Sequence, residues 1–395
     1  MIENGAEILP AHQPKERIYT LSFQELALQA GAELSFQHAS VMLNRLLHRQ
    51  EMTQVKTRTY QDFCHREGQK LAAYMDKSTE MALKRSGFDV QTGKPDAETA
   101  TEKWKETGTI LAEGETIQQA IQTINALRPT AEEQVKSNFI QLENPADTCY
   151  VSIDDIGVKH QKEHRRNCAQ KQGAYVWNTV AAVQSQEYSY TVTGVGMPQV
   201  FRNLLACLLS NRLLEQKTLV FFTDGASDIR RNIEEMFAFR PYQIILDWYH
   251  LKKRCQEYLS MSIKGGKENR NLVLQKLLRI LWVGNVEQAV SDLEQLDKTQ
   301  LRPQNRIADL CGYFLKHRNH IPCYALRHHF GLRKSSNRVE KANDLVVAQR
   351  QKHNGMSWSC AGSAALAQIK ALFVNNDAPN WLRFHRLSAF PTVAA

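Results

Sequence analysis

Apolar residues recur along this chain in two rhythms, and the change from one to the other divides it. Between residues 18 and 85 they fall three or four apart, as on one face of a helix. Ser22 followed by Glu25 reads as a capping box, with Leu26, Ala27 and Ala30 as the apolar face. Ser35 can cap a second helix bearing Ala39, Met42, Leu43, Leu46 and Leu47. After a polar break, Thr53 can cap a third helix to Gly68, with Val55, Thr59 and Phe63 inward and Lys56, Arg58, Gln61 and His65 outside. That layout suits a DNA-binding helix-turn-helix whose later helix enters a major groove. It suits a plain helical bundle with a solvated face equally well. Residues 86–147 are polar and broken by Gly and Pro, a connecting region with one helix from Thr116 to Leu127.

The rhythm then becomes that of strands. Cys149 to Ile153, Ala174 to Gln184 and Glu187 to Thr193 predict three antiparallel strands, the last two joined by a tight Ser185-Gln186 turn. Helix follows from Pro198 to Leu214, strand from Thr218 to Thr223, helix from Ser227 to Phe237 and strand from Tyr242 to Leu246. The order β-β-β-α-β-α-β makes the later strands parallel and the fold α/β. Residues 251–335 lack a good strand and predict an all-helical insertion. Helix returns at Asn337 to Lys352 and at Ala361 to Phe373. The expected segments are therefore a helical region (1–85), a connector (86–147), an α/β core (148–250), a helical insertion (251–335) and C-terminal helices (336–395).

Composition narrows the possibilities. The chain has 395 residues, 43% hydrophobic and 23% charged, a balance that sets aside disordered and fibrous classes. Its longest apolar runs are strand-sized, so no membrane partner is expected. The first ten residues carry no basic stretch followed by an apolar segment, and a cytoplasmic, nucleoid-associated protein is expected. Eight cysteines without a Cys-x-x-Cys pair read as buried thiols. His317, His320 and Cys323 with Cys311 are too irregularly spaced for a regular zinc motif. The net charge of +9 is clustered: residues 252–279 hold eight Lys or Arg, among them Lys252, Lys253 and Arg254, against two Glu. Arg338, Lys341, Arg350 and Lys352 surround Glu340 in the same way, and such clusters suit a phosphate backbone.

Asp154 and Asp224 each follow an apolar run, and strand ends line the crevice of an open α/β sheet. Either alone reads as a turn or a cap. Together they could hold a hard divalent cation. Four motifs sharpen this: Phe222-Thr-Asp-Gly-Ala with Ile229-Arg230; Ile245-Leu-Asp-Trp-Tyr-His250; Ser336-Asn-Arg-Val-Glu340-Lys-Ala-Asn; and Arg350-Gln-Lys-His-Asn-Gly-Met-Ser-Trp358.

With these motifs the chain resembles bacterial insertion-sequence DDE transposases of the Mutator-like type, close to the Kra group, over residues 148–375. The resemblance implies a ribonuclease H-like core with Asp154, Asp224 and Glu340 as ligands of Mg²⁺ or Mn²⁺, Glu340 lying beyond a helical insertion. It also implies two-metal cleavage and strand transfer, with terminal inverted repeats and target DNA as partners, and a homo-oligomer on DNA. Asp247 and His250 match an Asp-x-x-His motif, in which the His can donate to a phosphate. The family's usual Gly after the first Asp is Asp155 here. Strand alternation sends Asp154 and Asp155 to opposite faces, so one of them is the ligand, and Asp154 shares the less apolar face with Tyr150 and Ser152. A ribonuclease H-like nuclease that joins no strands and a non-catalytic, transposase-derived DNA-binding protein are the other readings.

Overall fold

A computed structural model describes residues 20–48, 54–101, 116–135, 142–161, 174–352 and 356–390. Its centre is a five-stranded mixed sheet in the order β3-β2-β1-β4-β5. The strands are β1 (Thr148–Lys159), β2 (Tyr175–Gln184), β3 (Ser189–Val195), β4 (Thr218–Thr223) and β5 (Gln243–Leu246). As the sequence pattern predicts, β1, β2 and β3 pair antiparallel, whereas β4 and β5 join parallel to β1. β4 is a continuous apolar run because all six of its residues are buried, as in a strand covered on both faces. β1 is longer than its apolar run. It continues through both aspartates to Lys159, because β2 pairs with it along that whole length while β4 stops at Thr223.

Alternation along the strands separates two apolar bodies. Val151, Ile153 and Phe221 pack with the N-terminal helices and the helices α5 (Met197–Ser210) and α14 (Cys360–Val374). Tyr150, Val220 and Phe222 point the other way, into the helices between residues 248 and 324. The N-terminal helices are α1 (Leu21–Glu33), α2 (Phe36–Leu46) and α3 (Thr57–Arg85). Thr20, rather than Ser22, caps α1, its hydroxyl accepting from the Phe23 amide, and Ser35 caps α2 as expected. Thr53 lies outside the described residues. Gly68 does not end α3: a methyl group there would come within 2.6 Å of Ala365, so glycine is what lets α3 lie against α14. The face of α3 bearing Tyr60, Phe63, Cys64, Gly68 and Leu71 is thereby buried in the common core.

A short connector helix, α4 (Ile117–Ala126), starts with a capping box between Thr116 and Gln119. The helix α6 (Leu213–Gln216) is a single turn before β4, and α7 (Ser227–Met236) links β4 to β5. After β5 come α8 (Trp248–Ser262), α9 (Lys267–Trp282), α10 (Val286–Glu294), α11 (Ile307–His317) and α12 (Tyr324–His329). Then α13 (Asn337–Asn343) runs into a π-helix, Asp344–Lys352, and the chain closes with α14 and α15 (Ala378–Phe384). A fully buried ion pair is among those that reach across these elements. Arg327 on α12 donates two 2.6 Å hydrogen bonds to Glu143, just before β1, and both side chains are fully buried.

Candidate active site

The parallel ladder brings the two aspartates together. Thr148 pairs with Thr218 and Ser152 with Phe222, a constant offset of 70 residues, since 218 − 148 = 222 − 152 = 70. Carried two residues past the last pair, that offset brings Asp154 and Asp224 to the same end of the two strands, near enough for the Asp224 charge to act on Asp154. β4 ends there, and the turn is sharp. Gly225 has φ +90°, and a side chain on it would meet the Tyr313 hydroxyl at 2.9 Å. Asp224 also serves the turn itself, its Oδ1 accepting from the Ala226 amide at 2.8 Å. The Tyr313 hydroxyl donates to the Asp224 carbonyl at 3.4 Å.

Burial, and next the negative charge of Asp224, push the Asp154 carboxyl up to about 6, while His250 acts in the opposite direction. Asp155 is also raised by burial, against a 2.6 Å hydrogen bond donated by its cross-strand neighbour Thr179. That bond ties Asp155 to β2. Asp154 turns instead to α13, where Asn343 Nδ2 donates to its Oδ2 at 2.6 Å.

Glu340 reaches this corner from α13, and His250 Nε2 lies 3.1 Å from its Oε1. Both side chains are part-exposed. Asp247 is 1% exposed and does something else. Its Oδ1 caps α8 by accepting from the His250 amide at 3.0 Å, and its Oδ2 accepts from the amide and the hydroxyl of Ser336. The Trp248 amide donates to the Lys334 carbonyl at 3.0 Å. Asp247 therefore pins the start of α8 to the segment that leads into α13, and so positions His250 and Glu340 relative to each other. Its spacing of three from His250 is that of a cap, whose side chain faces the backbone rather than the crevice.

Among the described residues no three His, Cys, Asp or Glu side chains converge as a closed metal centre would have them. In the acidic corner Glu340 is turned to His250 and Asp154 to Asn343. Of the zinc candidates, His317 and His320 lie side by side, their rings 6.0 Å apart. Burial pushes them down to about 3 and about 4, whereas Cys311 and Cys323 sit in two different apolar clusters.

The predicted basic contacts divide. Lys252, Lys253, Lys341 and Lys352 are exposed, and the Arg338 side chain lies outside the described residues. Arg254 lies part-buried over the rings of Tyr258 and Tyr313. Lys56 and Arg58 are exposed, Arg58 pairing with Asp62 at 3.2 Å. Two expectations are corrected. Arg350 is 3% exposed and not on a solvated basic face, because the helix widens into a π-helix at Asp344 and no longer keeps the 3.6-residue period that carried it outward. Gln61 and His65 are part-buried in the wall of a half-open pocket rather than fully outside, because α3 packs sideways onto the core. Asn343 and Tyr313 were missed. Asn343 carried a signal, being one helical turn beyond Glu340, but Tyr313 carried none, since only the fold brings α11 to the end of β4.

Among the described residues no helix is long and apolar enough to cross a membrane. No family model and no curated protein matches the chain. Among solved structures, the Drosophila P element transposase strand transfer complex overlaps 96% of this chain and 84% of that chain, at 9% identity and a TM-score of 0.27. A likeness of that size establishes neither a shared fold nor a shared activity.

Proposed function

We propose that this chain is a DNA transposase with a ribonuclease H-like core, cutting and joining DNA at the ends of an insertion sequence through Asp154, Asp224 and Glu340. The observation that carries the reading is the parallel register that seats Asp154 against Asp224 where β4 ends, with Glu340 facing the same corner beside His250. Two carboxylates driven together against burial are what a hard cation relieves, and the raised Asp154 carboxyl marks that demand. Asp154, Asp224 and Glu340 would hold Mg²⁺ or Mn²⁺, which when bound polarises the attacking and leaving oxygens of an in-line displacement.

The protein's own groups have separate tasks in this proposal. Asp247 and Ser336 hold the starts of α8 and α13 together. His250 orients Glu340 and, if released from it, can donate to a phosphate oxygen. Lys252, Lys253 and Lys341 offer exposed charge for the backbone, where contacts position the duplex without reading its sequence. The test is an Asp224→Asn variant incubated in Mg²⁺ with labelled duplexes bearing the element's terminal repeats. Cleavage should fall below detection while end binding persists. Cleavage at the wild-type rate would remove the assignment. A gel for joined products from pre-cleaved ends separates a transposase from a nuclease that joins nothing.

One observation favours a second reading, a DNA-binding protein without catalysis. Asp154 and Glu340 are each already engaged by a neighbour, so the three acids do not close on a single point. On that reading DNA binding persists undiminished in chelator, and no divalent cation restores cleavage.

A further inference from the structure

Beyond the acids, β1 is followed by a bridge between His160 and Trp358, and beside that bridge lies a cavity of about 200 Å³. Phe36, Gln61, His65, Arg350, Trp358 and Ser359 are among its walls. The volume could hold on the order of six water molecules at about 30 Å³ each, enough for a small oxyanion. Its polar lining is incomplete. Arg350 is 3% exposed, its guanidinium carbon 5.0 Å from the ring centre of Phe36 and 5.2 Å from that of Trp358. Nε donates to the Gly31 carbonyl at 3.1 Å and Nη1 to the Met356 sulfur at 3.2 Å. Nη2 is buried with no hydrogen-bond partner among the described residues. The ionisable groups that act on Arg350 are Tyr60 and Cys64, and burial raises both so that neither is an anion at neutral pH. A buried guanidinium with no counter-charge among the described residues is costly.

Two further features face the same space. His65 Nε2 is buried and also lacks a partner among the described residues. The 15-residue helix α14 begins here with Ser359 as its cap, so the positive end of its dipole adds to the field. Its first turn carries Gly362, where a side chain would come within 3.4 Å of His65, and glycine leaves that approach open. A guanidinium and a helix N-terminus both favour an anion, and phosphate is a common partner of each.

We propose that this cavity is a phosphate-binding site, in which Arg350, His65 and the N-terminus of α14 take one phosphate group, from a nucleic-acid strand or from a free nucleotide. The site is separate from the acidic corner. Six residues of β1 at about 3.3 Å each set His160 some 20 Å from Asp154, and the proposal stands whether or not the acids are catalytic.

The test uses the full chain in inorganic phosphate and in chloride at matched ionic strength, followed by thermal melting and titration calorimetry. Phosphate at about ten times its Kd should raise the wild-type Tm by roughly 1–2 °C over chloride. Arg350→Met should lose that increment while melting in chloride no lower than wild type, since it removes an uncompensated buried charge. His65→Gln, which keeps Arg350, should weaken phosphate binding about tenfold. Competition against bound phosphate then identifies the source: displacement by a 5′-phosphorylated hexanucleotide points to a strand, and displacement by a nucleoside monophosphate alone points to a free nucleotide. No phosphate increment in the wild type, or equal binding by wild type and both variants, would overturn the proposal.

Discussion

Asp154 shows how much a single position can say. Its place after an apolar run was legible in the sequence, and so was its opposition to Asp155, because alternation along a strand is a local property. Its environment was not legible, because the groups that set it, Asp224, His250 and Asn343, lie 70, 96 and 189 residues away (224 − 154, 250 − 154, 343 − 154). That environment has a consequence in solution. The folded protein holds the Asp154 proton up to about 6, against an ordinary value of 3.8. A raised pKa contributes stability that is complete below the unfolded value and is lost as the pH rises through the folded one. Stability should therefore decline between about pH 4 and pH 6 by on the order of 2 kcal/mol from this group. Asp154→Asn should flatten that part of the profile, as measured by urea melts at half-unit pH steps. An unchanged slope in the variant would place the titration elsewhere. In the proposed function, Mg²⁺ should recover the loss at pH 7 in the wild type and not in Asp154→Asn.

Among the elements, strands and helices were legible where one period runs uninterrupted, as in β4, and illegible where a neighbour decides. β1 extends past its apolar run because β2 offers partners for the polar half. The third helix continues past Gly68 for a similar reason. A glycine inside a helical pattern reads as a terminus when no neighbour is in view, but here it is the contact point of two helices. Gly68→Val would force a branched side chain against backbone that a single methyl already approaches to 2.6 Å. The two helices would have to separate, at a cost of about 3 kcal/mol or more, the upper range for overpacking. The urea midpoint should drop accordingly. Gly312, whose added methyl would meet nothing within 4 Å, serves as the control, and Gly312→Ala should be neutral or slightly stabilising because helix propensity improves. A Gly68→Val midpoint no lower than that of Gly312→Ala would mean that the α3–α14 contact does not depend on the glycine. Of the outward-facing set predicted for α3, Lys56 and Arg58 are exposed, whereas Gln61 and His65 are drawn part-way in because the helix packs on the core.

Across the whole molecule, the sheet's two faces serve two bodies, and Glu143 with Arg327 joins the approach to β1 to the helices on one of them. No sequence pattern announces such a pair: its members are 327 − 143 = 184 residues apart, and each alone reads as an ordinary surface charge. Both are fully buried, and Arg327 also donates to the Arg333 carbonyl at 2.8 Å, which steadies the chain entering α13 and Glu340. The energetics of a buried pair are asymmetric. Removing one member strands the other charge and costs about 3–5 kcal/mol, whereas replacing both by apolar groups of similar volume is often neutral. Glu143→Met should accordingly lower stability by about 3 kcal/mol or more. Glu143→Met with Arg327→Met should recover most of that loss, giving a coupling energy in a double-mutant cycle. If the pair also positions the acidic corner through Arg333, the doubly apolar protein will regain its melting temperature without regaining the His250–Glu340 contact. The chemical shifts of the His250 imidazole protons, followed by NMR at fixed pH, would report that difference, moving in the single and double variants alike. Recovery of both stability and the wild-type His250 chemical shifts would instead make the pair a local anchor with no reach into the site.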